Sequence, residues 1–243
     1  MNALALIQAR LGSSRLPGKS GLPLPFSAIH DSHTMLGHIV SRARRAASIG
    51  QIIIATTTRP LDDKLAALAW RLGAAVYRGD EEDVLSRFAG ALDLATINPT
   101  AIVRLTADNP AIDPSSIDKA VAHHLATSAD YTHTTGLPLG TNLEIINPTA
   151  LCRAHAEAHQ SDEREHVTPY LRYHPELFRL EALHFTVSPT VASLRLTVDY
   201  ASDYALLHIL YEALGSDFVL ADLPALLAKC PWLLDINRGN VQR

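Results

Sequence analysis

The amino-acid sequence predicts an α/β fold built on a mostly parallel, doubly wound sheet. Up to residue 108, short aliphatic runs alternate with longer segments of helical period, and this repetition is typical of such sheets. The 243 residues are 47% hydrophobic and 19% charged, so the chain can bury a large core. No repeat or low-complexity tract interrupts it. We therefore expect one domain over residues 1–243, with an inserted arm near 130–190.

Four strands are predicted in the first half of the chain, and a helix follows each of the first three. The strands are rich in β-branched and aliphatic residues and cover 4–8, 51–58, 74–79 and 101–108. The helices have amphipathic spacing and cover 34–48, 61–73 and 80–95. Gly73 suits a C-cap for the second helix. Acids open the third helix, where the helix dipole favours negative charge.

The pattern loosens after residue 114. Helices are predicted over 115–128, 148–159, 164–174, 200–214 and 220–230, and Pro169 is expected to disturb the third of these. Strands are predicted over 141–147, 178–187 and 192–199. The last of these strands places Asp199 at its end.

Composition and charge exclude several classes of function. A net charge of −4 leaves no excess of Lys and Arg to neutralise a nucleic-acid backbone, so we expect no nucleic-acid partner. The chain opens without a basic leader, and no apolar run approaches the ~18 residues of a membrane span, so we expect no membrane partner. Cys152 and Cys230 lie far apart without metal-ligand spacing, as thiols do in a reducing compartment. These features predict a cytoplasmic protein.

The segment ARLGSSRLPGK, residues 9–19, directly follows the first strand and carries three cations, Arg10, Arg15 and Lys19. Its glycines free the backbone, and its amides and serine hydroxyls can form an anion-binding concavity. Two arginine forks and a lysine suit a triphosphate better than a single carboxylate. The spacing matches neither the Walker A motif nor the dinucleotide fingerprint. A solvated basic loop whose arginines pair with surface acids explains the composition equally well.

Two aspartates stand at the ends of predicted strands, Asp108 in TADNP and Asp199 in LTVDY. Because ligands bind at the carboxyl ends of parallel strands, both aspartates would face the basic loop. Mg²⁺ prefers a few carboxylates together with phosphate and water oxygens, so the pair could bind this ion. Each residue also has a purely structural interpretation. Asp108 would form an Asx-turn or cap, and Asp199 would be the N-cap of the next helix.

Five stretches, in order along the chain, resemble one protein family. They are IQARLGSSRLPGK (7–19), RGDEEDVLSRF (78–88), VRLTADNPAIDP (103–114), DEREHVTPY (162–170) and LRLTVDYASDY (194–204). The sequence is similar to the bacterial cytidylyltransferases that make CMP-activated acid sugars, acylneuraminate and ketodeoxyoctonate among them. It most resembles the spore coat polysaccharide biosynthesis protein F family. The resemblance implies a nucleotide-diphosphosugar transferase-like fold and Mg²⁺-dependent transfer of CMP from CTP to an acid sugar or related anion, with release of pyrophosphate.

The same resemblance implies roles for individual side chains. Arg10, Arg15 and Lys19 would hold the triphosphate and act in catalysis, and Asp108 and Asp199 would bind the metal. The nucleotide would further contact Gln8, Ala9, Leu11, Gly12, Ser14, Asp83 and Thr106. The acceptor would meet Glu144, Arg164, His166 and Arg195, with His166 orienting or deprotonating the attacking hydroxyl.

Two of these assignments have structural alternatives. Asp83 and Arg87 are four residues apart on one helical face, which favours an ordinary ion pair between them. His166 would otherwise belong to a surface network with Arg164 and Glu165.

The sequence also departs from the family pattern. The stretch 20–34 is long and lacks a lysine that relatives usually carry, and Tyr200 and Ala201 stand where threonine and proline are common. These changes leave Arg10, Arg15 and Lys19 in place, and they concern how the loop closes.

The implied partners are CTP and a small anionic, sugar-like substrate, and a homodimer is compatible with the sequence. Two other functions compete with CMP transfer. A nucleotide-sugar-dependent glycosyltransferase is disfavoured because the chain contains no Asp-x-Asp motif. A catalytically weak nucleotide-binding module of a polysaccharide locus is the other alternative.

Overall fold

The computed structural model describes residues 2–13 and 15–241. A seven-stranded sheet with the order β3-β2-β1-β4-β6-β5-β7 forms its centre. The strands are β1 (Ala3–Gln8), β2 (Ile49–Thr57), β3 (Ala75–Gly79), β4 (Ala101–Thr106), β5 (Tyr131–Thr135), β6 (Glu144–Ile146) and β7 (Leu180–His184). Only β6 runs antiparallel to its neighbours in this sheet. The predicted α/β class with a mostly parallel sheet is confirmed.

Helices cover both faces of the sheet. They are α1 (Met35–Arg45), α2 (Asp63–Arg71), α3 (Val84–Asp93), α4 (Pro114–Thr127), α5 (Pro148–Glu157), α6 (Ser161–His166), α7 (Pro169–Tyr173), α8 (Pro189–Ala192), α9 (Ala201–Leu214) and α10 (Leu223–Lys229). No helix within the described ranges is both long and apolar enough to span a membrane.

Alternating side chains of the central strand reach two separate cores. Ala5 and Ile7 of β1 pack with α1, α2 and α4, whereas Leu4 and Leu6 pack with α3, α5 and α7. A third core joins α9 and α10 beside the sheet. This double burial explains why β1 reads as a continuous apolar run.

The second half of the chain departs most from the sequence-based expectation. The segment 192–199 is not a strand; its one ladder contact is a bridge between Leu139 and Arg195. Strand β5 was not predicted, because its sequence YTHTT is short and polar. The arm expected near 130–190 supplies β5, β6 and β7 to the same sheet.

The helix predicted over 164–174 is two helices. The break falls at Val167, whose φ of 71° is a left-handed value that a β-branched residue rarely adopts. The expected disturbance at Pro169 is confirmed: α6 ends at His166, and Pro169 occupies the first position of α7, where no amide hydrogen is needed.

Gly140 positions the segment before Asp199. Its φ is +93°, and a Cβ at this point would lie 2.4 Å from the backbone nitrogen of Thr197. The turn that contains Gly140 can therefore pack directly on residues 195–197, which brings the following Asp199 to the end of the sheet.

Candidate active site

An open cleft of about 350 Å³ lies at the carboxyl ends of β1 and β4. Ten of the predicted site residues line it: Gln8, Ala9, Arg10, Gly12, Arg15, Lys19, Thr106, Asp108, His166 and Asp199. Five others, Leu11, Asp83, Glu144, Arg164 and Arg195, are not part of its lining. Ser14 lies outside the described residues. Most of the residues predicted to contact the nucleotide and the metal therefore lie together at one edge of the sheet, as the sequence predicts.

The loop after β1 is held in place by backbone contacts. The amide of Leu11 donates to Oδ1 of Asp62 at 2.7 Å, and the amide of Gly18 donates to the carbonyl of Leu11 at 3.1 Å. Asp62 is buried and also accepts from the hydroxyl of Thr57. Sequence analysis did not identify Asp62 as a support of the loop; its only signal is a position just after a strand end.

Lys19 joins two carboxylates that are far apart in the sequence. Its Nζ lies 3.1 Å from Oδ2 of Asp108 and 3.1 Å from Oδ1 of Asp199, and it donates to the carbonyl of Val198 at 2.7 Å. We call Lys19, Asp108 and Asp199 the cleft cluster. Its side chains are 12%, 28% and 11% exposed, so solvent and ligands can reach each of them.

Arg15 contacts the cleft cluster from the solvent side. Its Nη2 donates to Oδ1 of Asp199 at 2.9 Å, and its guanidinium lies 5.2 Å from the ring centre of Tyr200. The contact with Tyr200 and the charge of Asp199 raise the pKa of Arg15 above its ordinary value. Tyr200, noted in the sequence as a departure from the family pattern, therefore supports a predicted catalytic residue.

Neither Asp108 nor Asp199 has the capping or turn role that the structural interpretation predicted for it. The carboxylate that caps α9 belongs to Asp203, which accepts from the amides of Asp199 and Tyr200 at 3.0 Å each. Asp108 accepts from Lys19 and, at 2.5 Å, from the hydroxyl of Thr106, rather than from the amides that follow it. Both predicted metal ligands therefore direct their carboxylates toward the cleft.

The donor set fits Mg²⁺ bound together with phosphates. The ammonium of Lys19 lies at hydrogen-bond distance from both carboxylates, so a cation at this point reaches both. No group of three or more His, Cys, Asp or Glu side chains capable of caging a metal occurs in residues 2–13 and 15–241. Two carboxylates without a cage are what Mg²⁺ uses when substrate phosphates and water complete its shell.

Arg10 partly follows the surface-pairing alternative. Its guanidinium lies 3.5 Å from Glu81, which Arg59 also contacts at 2.6 Å, and the Arg10 side chain is 45% exposed. Such exposed pairs contribute little stability, so an incoming phosphate can compete for Arg10.

Arg87 is a cleft residue that the sequence analysis treated only as an ion-pair partner. It is 2% exposed, and its Nη1 donates to the carbonyls of Asp80 and Glu81. Burial lowers its pKa, and the neighbouring charge of Arg10 adds to the effect. The predicted pair with Asp83 does not form, because Asp83 caps α3 and binds Arg164 instead.

Glu144 lies in a second ionic group, next to the cleft but outside its lining. It contacts Arg104, its cross-strand neighbour, and accepts from Tyr131 and, at 2.8 Å, from Thr168. We call Arg104, Glu144, Tyr131 and Thr168 the sheet cluster. Burial opposes ionisation of Glu144, but Arg104 and these hydrogen bonds outweigh it and lower the pKa of the carboxyl. Burial together with the charge of Glu144 raises the pKa of Tyr131.

The other acceptor-side candidates divide into internal and exposed residues. Arg164 binds Oδ2 of Asp83 at 2.7 and 2.5 Å and donates to the carbonyls of His155 and Ala158. Arg195 is 7% exposed and contacts two aspartates. His166 alone among the four lines the cleft, with a side chain that is 58% exposed. The acceptor roles of the four remain predictions, and this geometry favours His166.

Comparison with known proteins identifies the family of this chain. Residues 4–212 match the family model described as cytidylyltransferase. The spore coat polysaccharide biosynthesis protein SpsF of Bacillus subtilis is 36% identical over 235 residues, which cover 94% of this chain and 95% of that protein.

Solved structures have the same fold. A cytidylyltransferase from Leptospira borgpetersenii superposes with a TM-score of 0.84 at 29% identity, covering 99% of this chain and 98% of that one. A CMP:2-keto-3-deoxy-manno-octonic acid synthetase solved with CTP superposes with a TM-score of 0.65 at 15% identity, covering 88% and 99%. The match of the family model over most of the chain, together with the full-length similarity to SpsF, shows that this protein belongs to the cytidylyltransferase family.

Proposed function

We propose that this cytidylyltransferase transfers CMP from CTP to an acid sugar or a related anionic acceptor and releases pyrophosphate, in the synthesis of a surface polysaccharide. Family membership and the similarity to a spore coat polysaccharide protein support this reaction. The observation that carries the proposal is the cleft cluster. It brings one lysine and two aspartates together from positions 19, 108 and 199, beside two further arginines.

The basic residues of the cleft would bind the triphosphate. Arg10, Arg15 and Lys19 lie on the loop after β1, where charge-assisted hydrogen bonds to phosphate oxygens are stronger than neutral ones. Arg15 and Lys19 donate to Asp199. A triphosphate offers these cations further anionic acceptors, and Mg²⁺ at Asp108 and Asp199 would compensate the carboxylates that they leave.

Transfer is a single displacement at the α-phosphorus. The acceptor hydroxyl oxygen forms a bond to this phosphorus, and the bond to the β-phosphate oxygen breaks, with its electron pair leaving on pyrophosphate. Arg10, Arg15 and Lys19 would stabilise the negative charge that grows on the leaving group. The hydroxyl proton goes to a base in the cleft, and His166, which lines the cleft, would be that base.

Asp108 and Asp199 would hold Mg²⁺. Bound there, the ion would neutralise phosphate charge in the transition state. Thr106 donates to Asp108, and Arg195 donates to Asp199, so both carboxylates are held in fixed orientations before a ligand enters.

The reaction can be tested directly. The protein is incubated with CTP, Mg²⁺ and a panel of acid sugars, N-acetylneuraminate and 3-deoxy-manno-octulosonate among them, and pyrophosphate release is measured alongside CTP binding by calorimetry. We expect CTP to bind and at least one acid to release pyrophosphate. Absence of both signals across the panel would refute the proposal.

A matched pair of lysine variants identifies the site. Lys19→Met removes the cation between Asp108 and Asp199, whereas Lys64→Met removes an exposed lysine of α2. We expect CTP affinity to fall about tenfold or more in Lys19→Met, as befits a charged hydrogen bond of 1.5–3 kcal/mol, and to stay unchanged in Lys64→Met. Equal affinities in the two variants would place the nucleotide elsewhere.

A further inference from the structure

Two buried charged residues, Arg195 and Asp203, form a row that holds the carboxylate of Asp199 on the side away from the cleft. Arg195 donates from Nη2 to Oδ2 of Asp199 at 2.7 Å and from Nε to Oδ1 of Asp203 at 3.0 Å. Arg195 is 7% exposed and Asp203 is fully buried. Arg195 therefore sets the orientation of Asp199, and Asp203 sets the orientation of Arg195.

Asp203 accepts five hydrogen bonds. Its Oδ2 binds the amides of Asp199 and Tyr200, which fixes the start of α9. Its Oδ1 binds Arg195 together with two side-chain amides, from Asn237 at 2.9 Å and from Asn240 at 2.7 Å. Three donors on one oxygen leave it no freedom to follow Arg195 if that side chain rotates.

Both asparagines lie in the segment after the short 3₁₀ helix Pro231–Asp235. Asn237 is buried and also donates to the carbonyl of Arg195 at 2.9 Å, so it binds both members of the row. Asn240 is half-buried and also donates to the hydroxyl of Ser202 at 2.9 Å. Neither side chain reaches the cleft, and their contacts all point toward the support of Asp199.

We infer that Asn237 and Asn240 are positioning residues for the proposed metal site, acting through Asp203 and Arg195 on the carboxylate of Asp199. Groups that hydrogen-bond to a metal ligand on the side away from the metal fix the direction of the ligand and tune its affinity. Their loss typically weakens metal binding about 10- to 100-fold. Asn237 and Asn240 thus support the proposed metal site, although they lie more than 30 positions after Asp203. This inference rests on the proposed function.

The test measures binding of CTP with and without Mg²⁺ by calorimetry, which needs no acceptor. The quantity of interest is the ratio of the two dissociation constants, because a mere loss of stability does not change it in folded protein. We expect the double variant Asn237→Ala/Asn240→Ala to lose about tenfold in this ratio, the lower end of the range for such groups, while metal-free CTP binding stays close to that of the wild type. Asn240→Ala alone, at a half-buried site that tolerates truncation, should lose a smaller part of the ratio, about threefold.

Arg238→Ala is the matched control. Arg238 lies in the same segment, its side chain is 81% exposed, and among the described residues it pairs with Asp235, at 3.5 Å. Its ratio should equal that of the wild type. Unchanged ratios in both asparagine variants would overturn this inference and leave the proposed function intact. A wild type whose CTP binding does not respond to Mg²⁺ would overturn this inference and the proposed metal role together.

Discussion

The molecule contains two ionic clusters side by side, and they are built in opposite ways. In the sheet cluster, Arg104 and Glu144 are cross-strand neighbours on β4 and β6, held by the register of the sheet itself. In the cleft cluster, Lys19 meets carboxylates 89 and 180 positions away, at the ends of separate segments. The first cluster is fixed by backbone pairing, whereas the second is joined by the Lys19 side chain, which bonds to both carboxylates and to the carbonyl of Val198.

This difference separates charges that stabilise the fold from charges that bind a ligand. Glu144 has a partner on each of its oxygens and its side chain is 20% exposed, so we expect its charge mainly to stabilise the fold. The cations around Asp199 include Lys19 and the partly exposed Arg15, which line the cleft and can exchange a carboxylate for a phosphate. Variants in the two clusters should therefore fail in different assays.

Asp108→Asn should produce the largest effect and mark the cleft cluster as functional. The change keeps the shape of the side chain but removes the charge that would bind Mg²⁺. We expect CMP transfer, followed as pyrophosphate release, to fall on the order of 100- to 1000-fold. Asp108 is 28% exposed, so the melting temperature should change little. A variant that retains activity would remove Asp108 from the metal site.

Glu144→Ala should show the reverse pattern in the sheet cluster. The variant leaves Arg104, whose side chain is 16% exposed, without its carboxylate partner. Breaking a buried pair in this way typically costs about 3 kcal/mol, which urea unfolding should detect as a lower free energy of unfolding. CTP affinity of the folded protein should remain within about twofold of the wild type. A large loss of CTP affinity at unchanged stability would contradict the division between the clusters.

Asp83 offers an intermediate case, because it both caps α3 and binds Arg164. Asp83→Ala removes both contacts and should lower the free energy of unfolding by about 2 kcal/mol, roughly 1 for each. Asp83→Asn keeps a good cap and should lose only about 1 kcal/mol. Chemical denaturation of both variants separates the contributions. Equal losses would show that the cap adds nothing, and an unchanged free energy of unfolding in Asp83→Asn would show that Arg164 adds nothing.

The smallest expected effect concerns the support of Arg15. Tyr200→Thr removes the ring beneath the Arg15 guanidinium and should weaken CTP binding about threefold, since such contacts contribute about 0.5–1 kcal/mol. Tyr200→Phe keeps the ring and should bind CTP as the wild type does. Calorimetry distinguishes the two, and equal weakening would assign the effect to the hydroxyl rather than the ring.

The first half of the fold was predictable because its signals are local and repeated. Strand β1 and helix α1 each bury apolar residues at their own period, and the structure places them within three residues of the predicted bounds. The prediction of a strand over 192–199 was wrong, because alternating apolar residues also suit an irregular segment. This segment packs on the turn that contains Gly140. Strand β5 was missed because it is a strand through its pairing with β6 and β7, and its composition does not indicate one.

The site residues divide in the same way, into those with local signals and those that depend on tertiary partners. Arg15, Lys19 and Asp108 were identifiable because the carboxyl ends of parallel strands meet at one edge, and local motifs marked them. The ion pairs of Glu144 with Arg104 and of Arg164 with Asp83 were not foreseen, because the partners are distant in sequence. Asp203 and the asparagines after position 236 were not found at all, since a carboxylate's donors depend on tertiary packing that no spacing encodes.

The bond from Lys19 to Asp199 also has a kinetic consequence. It closes a span of 180 residues, whereas the pairing of β1 with β2 requires only nearby segments. Contacts of long sequence separation form late, because the entropy of closing the loop must be met first. In a refolding experiment, circular dichroism should therefore recover before the capacity to bind CTP, and the lag between the two signals would time the final assembly of the cleft.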